Sequence, residues 1–194
     1  MLIWINGTFG VGKTQTAHEL RRKLPGSVIA DPELLGFGIQ RMYPPDLRGD
    51  FQETPWWEPT VAAILIDLSR KHPGDVIVPM TLHRPERHRR ITDALNAAGI
   101  ETRHVTLLAS QATIRARLRT RMEGANTWAL TQYPEADAAL RGPLFSPHIV
   151  TDELALPEVV ERVGSLIGRD FRYSARERLL LPLRQALVTV RHIR

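Results

Sequence analysis

An α/β fold built on a parallel sheet is what this sequence predicts, and three observations carry the prediction. Short apolar runs alternate with amphipathic helical stretches along the chain, the pattern of a parallel sheet with helices on both faces. The first apolar run leads through a glycine-rich turn into a helix, a strand–turn–helix unit. The 194 residues, 43% of them hydrophobic, suffice for one full core and not comfortably for two. A single domain spanning 1–194 is therefore expected, with no internal repeat or low-complexity linker.

Each element follows from a local signal. Leu2-Ile3-Trp4-Ile5 is a buried strand, and Gln15 to Leu24 carries Ala17, Leu20 and Leu24 at helical spacing before Pro25-Gly26 stops it. Ser27 to Ala30 is a second strand ending at Asp31-Pro32-Glu33. A helix from Glu33 to Met42 and a polar, Pro-rich loop from Tyr43 to Pro55 follow. Trp56 to Lys71 places Val61, Ile64, Leu65 and Leu68 on a helix, and Asp75 to Met80 is the third strand. Pro85 to Ala98 is a helix closed by Gly99, Arg103 to Leu108 the fourth strand, and Gln111 to Met122 another helix. Glu123 to Gln132 has neither period and reads as irregular, before a short helix over Glu135 to Leu140. His148 to Thr151 is a weak fifth strand, Pro157 to Ile167 a helix, and 173–194 a helical tail.

Composition narrows the function classes. No run of about 18 apolar residues exists, so no membrane-spanning helix is expected. The chain enters a strand at once, which predicts no signal peptide. Without cysteine there are no disulfides or thiolate metal sites, consistent with a cytoplasmic setting. The net charge of +5 comes from arginine, since Lys13, Lys23 and Lys71 are the only lysines. No nucleic-acid motif accompanies that charge, so no nucleic-acid partner is expected.

The chemistry begins at Gly7-Thr8-Phe9-Gly10-Val11-Gly12-Lys13-Thr14, a P-loop followed by Gln15 on the helix. Its glycines let backbone N–H groups converge on phosphate oxygens at a helix N-terminus, whose dipole favours anions. Lys13 reaches the β- and γ-phosphates, and the Thr14 hydroxyl suits Mg²⁺. A nucleoside triphosphate, ATP with Mg²⁺, is the expected ligand. The third strand ends without the usual metal-binding Asp, and Thr81 takes its place. Mg²⁺ would then rest on Thr14, nucleotide oxygens and waters, which its reluctance to dehydrate permits. That departure favours a small-molecule kinase over an energy-transducing ATPase.

Several segments together resemble the tunicamycin-resistance protein family. They are Ile3-Trp4-Ile5-Asn6-Gly7, Gly10 to Thr16, Asp31-Pro32-Glu33, Val78-Pro79-Met80-Thr81, Arg117 to Arg121, Glu123 to Trp128 and His148 to Asp152. The likeness covers nearly the whole chain. That family is similar to the shikimate, chloramphenicol and nucleoside-monophosphate kinases. The resemblance implies a P-loop, nucleoside-monophosphate-kinase-like fold with a five-stranded parallel sheet ordered 2-3-1-4-5 and a lid after the fourth strand. It further implies ATP-dependent phosphorylation of a hydroxyl, with tunicamycin as the suspected acceptor.

A kinase of this kind needs a group that orients or deprotonates the acceptor hydroxyl. Asp31 stands where the second strand ends, and ligands of open α/β sheets bind beyond the carboxyl ends of strands. In the related kinases an aspartate after the second strand plays this part. The competing role for Asp31 is capping the following helix, and Glu33 is the second candidate. Arg115, Arg117, Arg119 and Arg121 crowd one helix, and at about 100° per residue periodicity does not choose between the 115/119 and 117/121 pairs. Resemblance to adenylate-kinase-like enzymes selects Arg117 and Arg121 as the phosphate contacts, with Arg141 a weaker third.

The acceptor side draws on Trp56 and Trp57, Thr81 and His83. Adjacent tryptophans on a helix cannot both face the core, so one of them is free to stack on substrate. Glu123 to Gln132, with Trp128 within it, is the expected lid, closing Arg117 and Arg121 onto the phosphates. In the tail, Leu180, Leu183, Leu187 and Val190 recur at helical spacing with Arg184, Arg191 and Arg194 elsewhere on the wheel. Docking on the protein's own core is the commoner fate of such a segment, and an anionic membrane surface is the alternative. A kinase for another antibiotic or metabolite would share all these features. A module that sequesters ATP or drug without chemistry would need neither Asp31 nor the arginine pair.

Overall fold

The strand β1 (Leu2–Gly7) is buried at every position, because it lies in the middle of the sheet with helices on both faces. The computed structural model describes residues 1–120 and 127–191. Around β1 stand β2 (Val28–Ile29), β3 (Val76–Pro79), β4 (Thr102–Leu108) and β5 (His148–Val150), all parallel, in the order β2-β3-β1-β4-β5. Ile5 pairs with Pro79 on one side and Val105 on the other. The order is the one that the family resemblance implies.

Alternation along β1 divides the core in two. Ile3 and Ile5 pack with Ala17 and Leu20 of α1 (Lys13–Lys23), Ile114 of α5 (Gln111–Thr120) and Val160 of α7 (Leu156–Leu166). Leu2 and Trp4 face the other way, with Val61 and Leu65 of α3 (Trp57–Lys71) and Ile91 and Leu95 of α4 (Pro85–Ala97). Each such fully buried side chain stabilises the fold by ~1.5–3 kcal/mol. Both faces of β1 are thereby pinned, which fixes where its carboxyl end delivers the P-loop.

The helix α2 (Pro32–Met42) follows β2, and two short 3₁₀ turns, Pro45–Leu47 and Phe51–Glu53, occupy the Pro-rich loop. One expectation is corrected. The stretch expected to be irregular up to Gln132 is helical from Thr127, because α6 runs Thr127–Leu140 with Pro134 inside it. Proline normally breaks a helix, but here the Tyr133 hydroxyl donates to the Ala109 carbonyl at 2.8 Å, and Ala136 and Leu140 are buried. Tertiary packing holds what the local signal argues against. Arg121, the span Glu123 to Asn126 and the Trp128 side chain lie outside the described residues.

The tail forms α8 (Ala175–Leu179) and α9 (Leu181–Arg191) and docks on α1, but with its polar face inward. Arg184 donates to both carboxylate oxygens of Glu19 at 2.8 and 2.9 Å, and the Tyr173 hydroxyl donates to the same carboxylate. Leu179, Leu183, Leu187 and Val190 are left exposed. Glu19 is buried, and a buried carboxylate needs its counter-charge more than an amphipathic helix needs to hide leucines.

Candidate nucleotide and acceptor site

At the carboxyl end of β1 the backbone turns at Gly7, with φ of 144°. A Cβ there would meet the Leu107 carbonyl oxygen at 2.6 Å, so glycine alone lets the loop leave against β4. Gly12 has φ of 112° and open space in front of it. The start of α1 carries no side-chain cap. Uncapped N–H groups facing an open glycine make a phosphate cradle. Lys13 is buried beneath it, its Nζ donating to the carbonyls of Gly7 and Thr8 at 3.1 and 3.0 Å. The Phe9 ring lies 5.4 Å from the ammonium. Thr14 is half-buried in the first turn. Among the described residues no cluster of three or more His, Asp and Glu could hold a metal by itself. The Thr14 hydroxyl, on the first turn of α1, is a hard oxygen of the kind that Mg²⁺ takes beside nucleotide oxygens and waters.

On one side of the loop, Thr8, Phe9, Asp50, Thr81, His83 and Tyr133 line a cavity of about 20 Å³, room for a single water. Thr8 Oγ1, Thr81 Oγ1 and His83 Nδ1 are buried without hydrogen-bond partners. Unsatisfied polar groups of this kind cost ~1–3 kcal/mol each, and all three belong to residues that line this one space. Burial lowers the pKa of His83, partly opposed by the Glu135 carboxylate 3.9 Å away.

The buried amide of Asn6 ties this wall to the P-loop. Its Oδ1 accepts from the Gly7 and Leu82 N–H groups at 2.8 and 3.0 Å, and its Nδ2 donates to the Leu82 carbonyl at 2.8 Å. Gln52 adds a second tie, donating to the Thr81 carbonyl at 2.9 Å.

On the other side lies a larger cavity of about 490 Å³, reached past Val11, Gly12 and Gln15 and flanked by Arg117, Thr151 and α9. Arg117 donates through Nη1 to the Val11 carbonyl at 2.8 Å and through Nη2 to the Thr151 carbonyl at 2.7 Å. It thus bolts the P-loop to the end of β5. Gln15 turns to the same side, donating to the Gln185 carbonyl and the Thr189 hydroxyl.

Known proteins share this fold. Residues 2–133 match the AAA-domain family. The tunicamycin resistance protein of Deinococcus radiodurans superposes with a TM-score of 0.73 at 33% identity, over 89% of this chain and 99% of that one. The chain belongs to the tunicamycin-resistance protein family. A gluconokinase from Sinorhizobium meliloti 1021 matches in fold, with a TM-score of 0.63, 16% identity and 95% coverage of each chain. So does Mycobacterium tuberculosis APS kinase CysC in complex with AMPPNP and APS, at 0.55 and 18%, over 86% of this chain and 96% of that one. No curated protein matches the chain in sequence.

In this tunicamycin-resistance family member the remaining expected residues divide. Asp31 is the N-cap of α2, its Oδ1 accepting from the Glu33 N–H at 3.0 Å, so the capping role is real. Trp57 is corrected. It is 0% exposed, its Nε1 donates to the Pro32 carbonyl at 3.2 Å, and its ring packs on Phe51, so it belongs to the core and cannot stack on a ligand. Trp56, next along the helix, is exposed, as adjacent helical positions demand. Arg141 pairs with Asp137 one turn earlier, an ordinary helix-surface pair. Asn6, Asp50, Gln52, Tyr133 and Thr151 were not singled out as site residues from the sequence. Asn6 alone carried a signal, an amide inside an otherwise apolar strand next to the first loop glycine.

Proposed function

We propose that this protein is an ATP-dependent phosphotransferase that phosphorylates a hydroxyl of a small molecule. Tunicamycin, a nucleoside antibiotic with sugars and a fatty chain, is the first acceptor to test. The observation that carries the reading is the P-loop standing between two unlike cavities, one large and beside α1, the other small and lined by residues that carry unpartnered polar groups. Bound ATP with Mg²⁺ supplies the γ-phosphoryl group. Lys13 neutralises charge that develops on it, and the Thr14 hydroxyl would hold the metal. Thr81 and His83 hold the acceptor hydroxyl, whose oxygen attacks the γ-phosphorus while the bond to the β-phosphate oxygen breaks. Asp31 takes the hydroxyl proton. Arg121, from the segment following α5, is the arginine assigned to the transferring group, since Arg117 is committed to the loop and β5.

The test is to incubate the protein with ATP, Mg²⁺ and tunicamycin and look by mass spectrometry for an added phosphate. Tight ATP and drug binding with no phosphorylated product from tunicamycin or other hydroxyl acceptors would replace this reading with sequestration.

The exposed ridge of Leu183, Leu187 and Val190 on α9 supports a second element, peripheral attachment to an anionic membrane beside arginine-rich flanks. Flotation with anionic vesicles tests it. Leu183→Glu with Leu187→Glu should abolish flotation, and equal flotation of both proteins removes the membrane from the account.

A further inference from the structure

We propose that helix α9 is the outer wall of the nucleotide-base cavity, and that the Glu19–Arg184 clasp holding it there sets nucleotide affinity. The inference rests on the nucleotide reading above. A triphosphate seated on the P-loop must send its nucleoside to one side or the other. The acceptor side is assigned to the acceptor hydroxyl, and its space of about 20 Å³ is by far the smaller of the two. The opposite cavity, at about 490 Å³, falls within the roughly 300–1,000 Å³ of small-molecule sites.

One wall of that cavity comes from the start of α1 and from Arg117. The facing wall comes from Leu181, Ala186 and Thr189 of α9. A planar guanidinium among the lining residues, together with Leu181 and Ala186, suits a flat heteroaromatic base. Gln15 joins the two walls directly, since it is two residues beyond Lys13 and donates to the Gln185 carbonyl and Thr189 hydroxyl at 3.0 and 3.1 Å.

What keeps α9 in place is polar. Leu183 and Leu187 face outward and only Leu181 turns to the cavity, so little apolar burial anchors it. The anchor is the two-pronged Arg184–Glu19 pair, with side chains only 14% and 5% exposed, reinforced by Tyr173 on the same carboxylate. A surface helix pinned by a buried ion pair and the two Gln15 hydrogen bonds is loosened by loss of that pair, unlike one held by a greasy face. The base site is therefore completed by the tail, and its integrity is controlled from Glu19.

The experiment is calorimetric titration of the full chain with ATP and, in parallel, with inorganic tripolyphosphate, which has the phosphates and no base. Ala186→Trp fills the cavity from the α9 side. Glu19→Gln with Arg184→Gln opens the clasp while leaving no buried carboxylate unpaired. Both should lower ATP affinity by about tenfold or more while tripolyphosphate affinity is unchanged. The double variant should also speed hydrogen exchange across 181–191. Thermal melting identifies a variant that has failed to fold, and the other then carries the test. Unchanged ATP affinity in a folded variant overturns the proposal. So does an equal fall for both ligands, because the tail would then act on the loop as a whole. Failure of the nucleotide reading itself looks different: wild type would bind neither ligand, or Lys13→Ala would bind both normally.

Discussion

The two sides of the P-loop are built on opposite principles. On the proposed acceptor side three polar atoms are buried without partners, in residues that line a space the size of one water. On the nucleotide side the cavity is large, and Gln15, Thr16, Arg117 and Thr151 already have partners. The first arrangement costs stability in the free protein and rewards a ligand that supplies the missing hydrogen bonds. The second rewards shape alone. Selectivity for the acceptor should therefore be polar and exacting, while the nucleotide site should admit its ligand with little rearrangement.

Lys13→Ala is the change that should strike both sides at once. Its ammonium lies under the loop that separates the two cavities, so phosphoryl transfer should fall by at least ~10²–10³-fold with the fold intact. Near-normal turnover would take the P-loop out of the mechanism. Asp31→Asn is narrower. Asparagine still caps α2, so stability should hold while turnover drops roughly 10²–10⁴-fold and ATP affinity stays level. An unaltered rate would leave Asp31 a cap and nothing more.

Thr81→Val sharpens the comparison further, because it should move stability and function in opposite directions. The substitution keeps the shape and deletes a buried hydroxyl that has no partner. The free protein should gain ~1–3 kcal/mol while the acceptor KM rises several-fold and the ATP KM does not. A destabilised variant would mean that Thr81 has a partner in solution and that its side of the loop is not waiting for a ligand.

The sheet and the P-loop were legible because each rests on local pattern: apolar runs, a glycine spacing, a helix behind it. The order of the strands came through resemblance rather than periodicity. The acceptor wall was half legible. Thr81 and His83 follow β3 directly, whereas Asp50 and Gln52 reach the site from a polar loop whose course depends on Phe51 and Trp57 packing together. Trp57 shows the limit of reading a tryptophan pair, since the pattern requires one ring to be outside without saying which. The tail misled for a different reason. Its leucines mark an amphipathic helix correctly, but the direction that helix faces is set by Glu19, some 165 residues before Arg184 in the chain, and no local window contains both.

The smallest expected effect concerns acid, and it separates the two sides without touching either ligand. Behind Asn6 the rings of His88 and His104 lie 4.9 Å apart, with Trp4 and Phe145 around them. Burial, more than the nearby Arg89, pushes His88 down to about 4. Burial and then the neighbouring His88 push His104 down to about 3. Both folded-state values lie below the ordinary 6.5, so the unfolded chain takes up protons first. The stability of the fold is then fully present above about pH 6.5 and is lost as pH falls from there toward 4 and 3. Melting temperature should decline between pH 7 and pH 5. His88→Phe, which removes two unpartnered ring nitrogens, should reduce that decline by about half. The loss should also be uneven. His104 Nε2 lies 3.3 Å from the Asn6 amide, which ties Gly7 to Leu82, whereas no such histidine lines the nucleotide cavity among the described residues. As pH falls through about 4 toward 3, where the folded protein itself takes up these protons, the acceptor KM should therefore rise before ATP affinity changes. If the two weaken together, acid acts on the fold as a whole and the distinction between the two sides does not extend to their foundations.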